Sequence, residues 1–133
     1  MKMKFKGRTI SKGVATGEAL VGTEAISFLG GVDPKTGLVI DKSNPLFGKS
    51  IAGKVLVIPR GKGSTVGTYV IYQLKKNGVA PAAIITLESE IIVAVGAIIS
   101  EIPMVDQLDK NPIECIKTGM GVTVDADKGI VEI

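Results

Sequence analysis

The sequence predicts an α/β fold, a compact domain that is strand-rich at both ends and has a strand–helix–strand middle. Three observations predict it. Lys54–Ile58 and Ala82–Leu87 are mostly aliphatic runs, as expected of strands buried on both faces. Between them, Thr65–Asn77 repeats its apolar residues at helical spacing. Finally, 133 residues, 45% hydrophobic but only 4% aromatic and without Trp, are enough for one core built from Val, Ile, Leu and Ala. A single domain spanning residues 1–133 is expected.

Taken in order, Lys4–Ile10 alternates weakly and reads as a first strand, and Gly17–Gly22 as a second with a glycine at each end. Ser27–Gly37 is turn-rich, broken by Gly30-Gly31 and Asp33-Pro34. Leu38–Ile40 reads as a short return strand and Asp41–Gly48 as loop. In the helix Thr65–Asn77, Val66, Val70, Ile71 and Leu74 share a face. Lys75 and Lys76 fall in its last turn, and Gly78 suits the position just past its end. With its two strands this makes a βαβ unit, whose crossover is right-handed by rule. Ile91–Ile99 is expected as a short helix packing through Ala94, Gly96 and Ala97. Ile102–Val105 follows as a strand, and Asn111–Thr118 as a short helix with Pro112 at its first position. Gly121–Ile133 closes the chain as a hairpin turning around Asp127–Gly129.

Composition removes several function classes. There is no histidine, so Ser-His and Cys-His catalysis, imidazole metal sites and phosphohistidine carriage are excluded. The one cysteine, Cys115, makes neither a disulfide framework nor a metal cluster alone, and reads as a small core residue. Net charge is +3, but apart from Lys2, Lys4, Lys6 and Arg8 the cations are scattered, with no stripe of stacking aromatics for a nucleic acid. The longest apolar run, Ile91–Ile99, is about half a membrane span, and MKMKFKGRTI lacks the apolar stretch of a signal peptide. A soluble, cytoplasmic chain without metal of its own is expected.

The candidate site is PRGKGST, residues 59–65, where a buried strand runs into a helix. Ser64 is expected as the helix N-cap, with free N–H groups behind it that favour an anion. Gly61 and Gly63 allow close backbone approach, Arg60 and Lys62 supply charge, and Thr65 adds a hydroxyl. Capping alone is the competing reading for Ser64. The spacing is not that of a Walker A loop, because Gly63 separates Lys62 from Ser64. A second candidate is FLGGVDP, where Gly30, Gly31 and Asp33 form either a substrate or partner loop or an ordinary Asp-Pro turn. A third candidate is LESE, residues 87–90, at the end of a buried strand where sites gather in α/β folds; Glu88 and Glu90 read as a solvated strand end sooner than as an acid–base pair.

These same stretches carry a family resemblance. GRTISKGVATGEAL, SFLGGVDPKTG, GKSIAGKVLVIPRGKGSTVGTYVIYQL, APAAII and EIPMVD resemble the small-subunit branch of the aconitase X family over nearly the whole chain. The resemblance implies a swivelling β/β/α domain like the mobile domain of aconitases. It implies a larger partner subunit carrying an iron–sulfur cluster, [4Fe-4S] in type, with none in this chain alone. It implies dehydration of (R)-5-phosphomevalonate, a small phosphorylated carboxylate, to trans-anhydromevalonate 5-phosphate in the archaeal modified mevalonate route to isoprenoids. The family's proton-accepting serine falls at Ser64. A hydro-lyase acting on a hydroxyproline-type substrate is the alternative, and a non-catalytic anion-binding regulatory module a third.

Overall fold

Residues that are aliphatic at every position can satisfy a strand only if both of its faces are covered. A computed structural model, describing residues 3–133, shows how this is done. β5 (Val55–Ile58) and β7 (Ala83–Thr86) lie side by side and parallel, with β8 (Met104–Asp106) next to them. All four residues of β5 are fully buried. Leu56, Ile58, Ile84 and Met104 meet Ile71 and Leu74 of α2 (Gly67–Lys76) and Val93 and Ala97 of α3 (Ile91–Ile99) in one cluster. The alternate residues Val55, Val57, Ala83, Ile85 and Val105 pack with Phe5, Val122, Val124 and Val131 in a second.

That second cluster is covered by strands. β9 (Gly121–Asp125) and β10 (Ile130–Glu132) form the closing hairpin, and β1 (Lys4–Lys6) adds to β10. β3 (Val14–Val21) joins the layers: Val14–Glu18 pairs antiparallel with β9, and Ala19–Val21 pairs parallel with β5. With β2 (Arg8–Ser11) against β8, the sheet order is β1-β10-β9-β3-β5-β7-β8-β2, and the helices lie beyond its parallel part. This is the expected β/β/α arrangement.

Several boundaries differ from the expected ones, each for a tertiary reason. The first strand is not continuous over Lys4–Ile10: β1 pairs with β10 and β2 with β8, so the chain changes layer at Gly7. A side chain at Gly7 would collide with the Asp106 carbonyl and the Leu108 side chain. The second strand begins at Val14, because its exposed first half is held by pairing with β9. Leu38–Ile40 makes only isolated bridges, Leu38 to Ser50 and Val39 to Val32. The expected helix at 111–118 is a single turn, α4 (Pro112–Cys115), capped by Asn111 Oδ1. The expected strand Ile102–Val105 lies two residues later at its start and one at its end, and Cys115 is only half-buried.

α2 begins at Gly67, and Val66 is exposed while Gly67 takes the buried position. At its far end the Gly78 N–H bonds the Lys75 carbonyl and the Val79 N–H the Leu74 carbonyl, with Gly78 at φ +72°. That is a Schellman cap in which glycine takes the left-handed position. α2 and α3 pack closely because Gly96 lies against Ile71, leaving no room for a side chain there.

Candidate cleft at the ends of the parallel strands

In parallel sheets, ligands gather where strands end at their carboxyl side. β5 and β7 end together here. The Pro59 carbonyl accepts the N–H of Leu87 at 3.0 Å, so the segments leaving the two strands stay in contact. They form the walls of a cleft of about 390 Å³, one wall Arg60–Gly63 and the other Glu88–Glu90.

The first wall is fixed by its main chain. β6 (Gly61–Lys62) pairs in parallel with β4 (Ile26–Ser27), which runs directly into α1 (Phe28–Gly31). The structure therefore brings PRGKGST and the start of FLGGVDP together. The glycines answer to protein neighbours: a side chain at Gly61 would overlap Val93 and approach Glu90 Oε1 at 2.9 Å. Gly63 has φ +97° and lies against the Ser27 side chain. Arg60 and Lys62 are exposed. Lys62 also acts on Asp41, whose carboxyl is held low first by the Ser43 hydroxyl and amide and further by this ammonium.

Ser64 is not the N-cap of α2; Val66 is. Ser64 instead caps a tighter lead-in turn. Its Oγ accepts the Val66 N–H at 3.1 Å, its carbonyl accepts the Gly67 N–H at 2.9 Å, and the Thr65 carbonyl accepts from Thr68 at 3.2 Å. The two carbonyl bonds are i→i+3 contacts of the kind that tighten helix ends, and they place the serine ahead of the helix proper. Ser64 and Thr65 are both exposed and follow directly on Gly63 without lining the cleft themselves.

The second candidate loop divides. Leu29 and Gly30 are exposed, Gly30 at φ +80° with nothing near its missing side chain, while Gly31 is buried. Asp33 lies apart from the cleft lining. Its Oδ1 accepts the Lys35 N–H at 2.9 Å and its carbonyl the Gly37 N–H at 2.8 Å. That is the Asp-Pro turn.

The second wall holds what sequence reasoning missed. Glu90 is not a solvated strand end: its carboxylate caps α3, accepting N–H groups of Ile92 at 2.9 Å and Val93 at 3.3 Å. Glu88 is exposed. Ser89 is tied to a pair formed by two other strands. Arg8 donates from Nε to Asp106 Oδ1 at 3.0 Å and from Nη2 to Oδ2 at 2.8 Å, and Ser89 N–H donates to Oδ2 at 2.8 Å. Asp106 is fully buried. Burial pushes its carboxyl up, but Arg8 and Ser89 together outweigh burial and hold it below the ordinary carboxylate range. The one signal in the sequence was a carboxylate ending the apolar run at Met104–Asp106, since a buried charge needs a partner.

No group of three or more His, Cys, Asp or Glu among the described residues could hold a metal ion, and no described helix is long and apolar enough to cross a membrane. Thr86, two residues before this wall, buries its hydroxyl without a partner among the described residues.

The model of the aconitase X swivel domain matches residues 4–133. The phosphomevalonate dehydratase small subunit of Methanocella arvoryzae is 64% identical over 98% of this chain and 99% of its own. That of Methanosarcina mazei is 63% identical over 98% and 91%. The crystal structure of Thermococcus kodakaraensis aconitase X in its holo-form superposes with a TM-score of 0.94 at 62% identity, covering 98% of each chain. With a family model matching almost from end to end and a fold superposing this closely, the chain belongs to the aconitase X swivel-domain family.

Proposed function

We propose that this chain is the small subunit of a phosphomevalonate dehydratase. The enzyme removes water from (R)-5-phosphomevalonate to give trans-anhydromevalonate 5-phosphate, in the cytoplasm. One observation carries the reading: 64% identity over 99% of a relative that bears this name. The cleft's charge supports it. Arg60 and Lys62 stand on a glycine loop beside the exposed main chain of Gly63, a setting that favours a phosphate or carboxylate. We assign anion binding to Arg60, Lys62, the backbone of Gly61 and Gly63, and the Thr65 hydroxyl.

Dehydration removes a proton from a carbon beside the carboxylate while a hydroxyl leaves. We assign the proton acceptor to Ser64. Its oxygen already accepts the Val66 N–H, a bond that grows stronger as the oxygen becomes negative. In this chain alone Ser64 is exposed to water, where a serine is a feeble base. Docking against a larger subunit would exclude that water and strengthen the N–H contact, which gives a physical reason for inactivity in isolation. The exposed Leu29 and Gly30, beside the cleft wall, are assigned to the partner-facing rim.

The chain's donors do not fit an iron–sulfur cluster, since it offers one thiol and no imidazole. The cluster of the proposed enzyme, [4Fe-4S] in type, is assigned to the large subunit, and no step above runs through it. Co-expression with that subunit tests the function. The heteromer is expected to dehydrate phosphomevalonate while neither chain does so alone. A cluster-loaded heteromer that ignores phosphomevalonate, or accepts a hydroxyproline instead, would overturn the reading.

A further inference from the structure

Ser89 lines the cleft, and two of its polar groups are already engaged. Its N–H donates to Asp106 Oδ2 at 2.8 Å, and its hydroxyl oxygen lies 3.3 Å from Arg8 Nη2, which donates to it. Arg8 is itself held by two bonds to the fully buried Asp106. A buried carboxylate is costly, and a forked guanidinium pair is geometrically rigid. A pairing of β2 with β8 could be closed more cheaply by apolar residues. What the pair adds is a fixed Ser89.

The chemistry of that serine follows from its neighbours. The hydroxyl's own proton faces two acceptors: the Asp106 carboxylate, which this hydroxyl also helps to hold low, and an anion in the cleft. Asp106 already accepts two bonds from Arg8 and one from the Ser89 N–H, so an arriving anion competes for that proton with a carboxylate that is otherwise satisfied. The open side is the cleft, where Arg60 and Lys62 stand in the other wall and Glu88 is the exposed acid. We infer that Ser89 is a substrate-binding hydroxyl of this cleft, donating to the phosphate or carboxylate of the ligand, and that the Arg8–Asp106 pair is its positioning device. This rests on the proposed function only for the identity of the ligand. Ser64 and Ser89 then have separate duties: one takes a proton, the other holds an anion.

The test compares wild type with Ser89→Ala, Ser89→Thr, Arg8→Ala and the Arg8→Ala/Ser89→Ala double variant in the reconstituted heteromer. A lost hydrogen bond to a charged ligand predicts a KM raised about ten- to hundredfold for Ser89→Ala, with kcat within about threefold and an unchanged thermal midpoint. Ser89→Thr restores the hydroxyl and should restore most of the affinity. Arg8→Ala should raise KM similarly, and the double variant should be no worse than Arg8→Ala, because Arg8 acts through Ser89. If Arg8→Ala fails to fold, the two Ser89 variants decide alone. Ser89→Ala with wild-type KM overturns the inference. If the wild-type heteromer does not turn over phosphomevalonate, the proposed function fails instead. Binding of inorganic phosphate to the wild-type and Ser89→Ala heteromers then decides: weaker binding by the variant supports the inference, and equal binding overturns it.

Discussion

The two walls of the cleft are built in opposite ways. Arg60–Gly63 is placed by main-chain pairing with β4 and by glycines that fit against Val93 and Ser27, while the Arg60 and Lys62 side chains make no hydrogen bond or ion pair among the described residues. Glu88–Glu90 is placed by side chains: Glu90 caps α3, and Ser89 hangs on an ion pair whose Arg8 lies 81 residues away in sequence. The first wall can therefore lose a charge without losing its shape. The second loses its shape when a charge is removed.

The largest effect is expected at the end of the first wall. Ser64→Ala should lower turnover of the reconstituted heteromer by about two to four decades, the usual contribution of a positioned proton acceptor. Its thermal midpoint should reflect only a lost turn cap, about 0.5–2 kcal/mol. A variant that assembles and keeps more than about a tenth of wild-type turnover would make Ser64 a cap alone.

Breaking the second wall should cost stability. Arg8→Ala strips the buried Asp106 of its partner and should lower the thermal midpoint, by less than the loss of a fully buried partner because the Arg8 side chain is 54% exposed. The sign with pH is definite. A carboxyl held low in the fold contributes stability above its unfolded pKa, and that contribution fades as pH falls through the lower folded value. The stability gap between wild type and Arg8→Ala, read from urea titrations, should thus narrow below about pH 4. A gap constant from pH 7 to pH 3 would show that Asp106 is not the source of the loss.

The smallest effect separates the wall's shape from its charge. Gly61→Ala adds a methyl where Val93 and Glu90 already stand, costing about 1–3 kcal/mol by overpacking and displacing the Arg60–Gly63 wall. A variant as stable and as active as wild type would show that α3 can yield there.

Much of the fold could be read from local pattern. The aliphatic runs at β5 and β7, the Schellman end of α2 at Gly78, Pro112 at the start of α4 and the closing hairpin all depend on neighbours within a few residues. PRGKGST and the β5–α2 junction were legible for the same reason, and so was the family resemblance. The break at Gly7 was not, because it follows from β1 and β2 pairing with different distant strands, and what bars a side chain there is the Asp106 carbonyl. Nor was the start of α2 at Gly67, which is decided by packing against Ile92 and Phe28.

By itself, then, the sequence determined the strand–helix–strand middle, the glycine loop and its cations, and the absence of any imidazole chemistry. These follow from residue type, period and spacing along the chain. Only the tertiary structure decided which faces of β5 meet helices and which meet strands, that Ser64 caps a lead-in turn, and that Glu90 caps α3. It alone joined Arg8, Ser89 and Asp106, which come from β2, the β7–α3 connection and β8. The physical reason is that a buried charge takes its partner from whatever the fold places within about 3 Å, and that distance is set by sheet order and not by sequence separation.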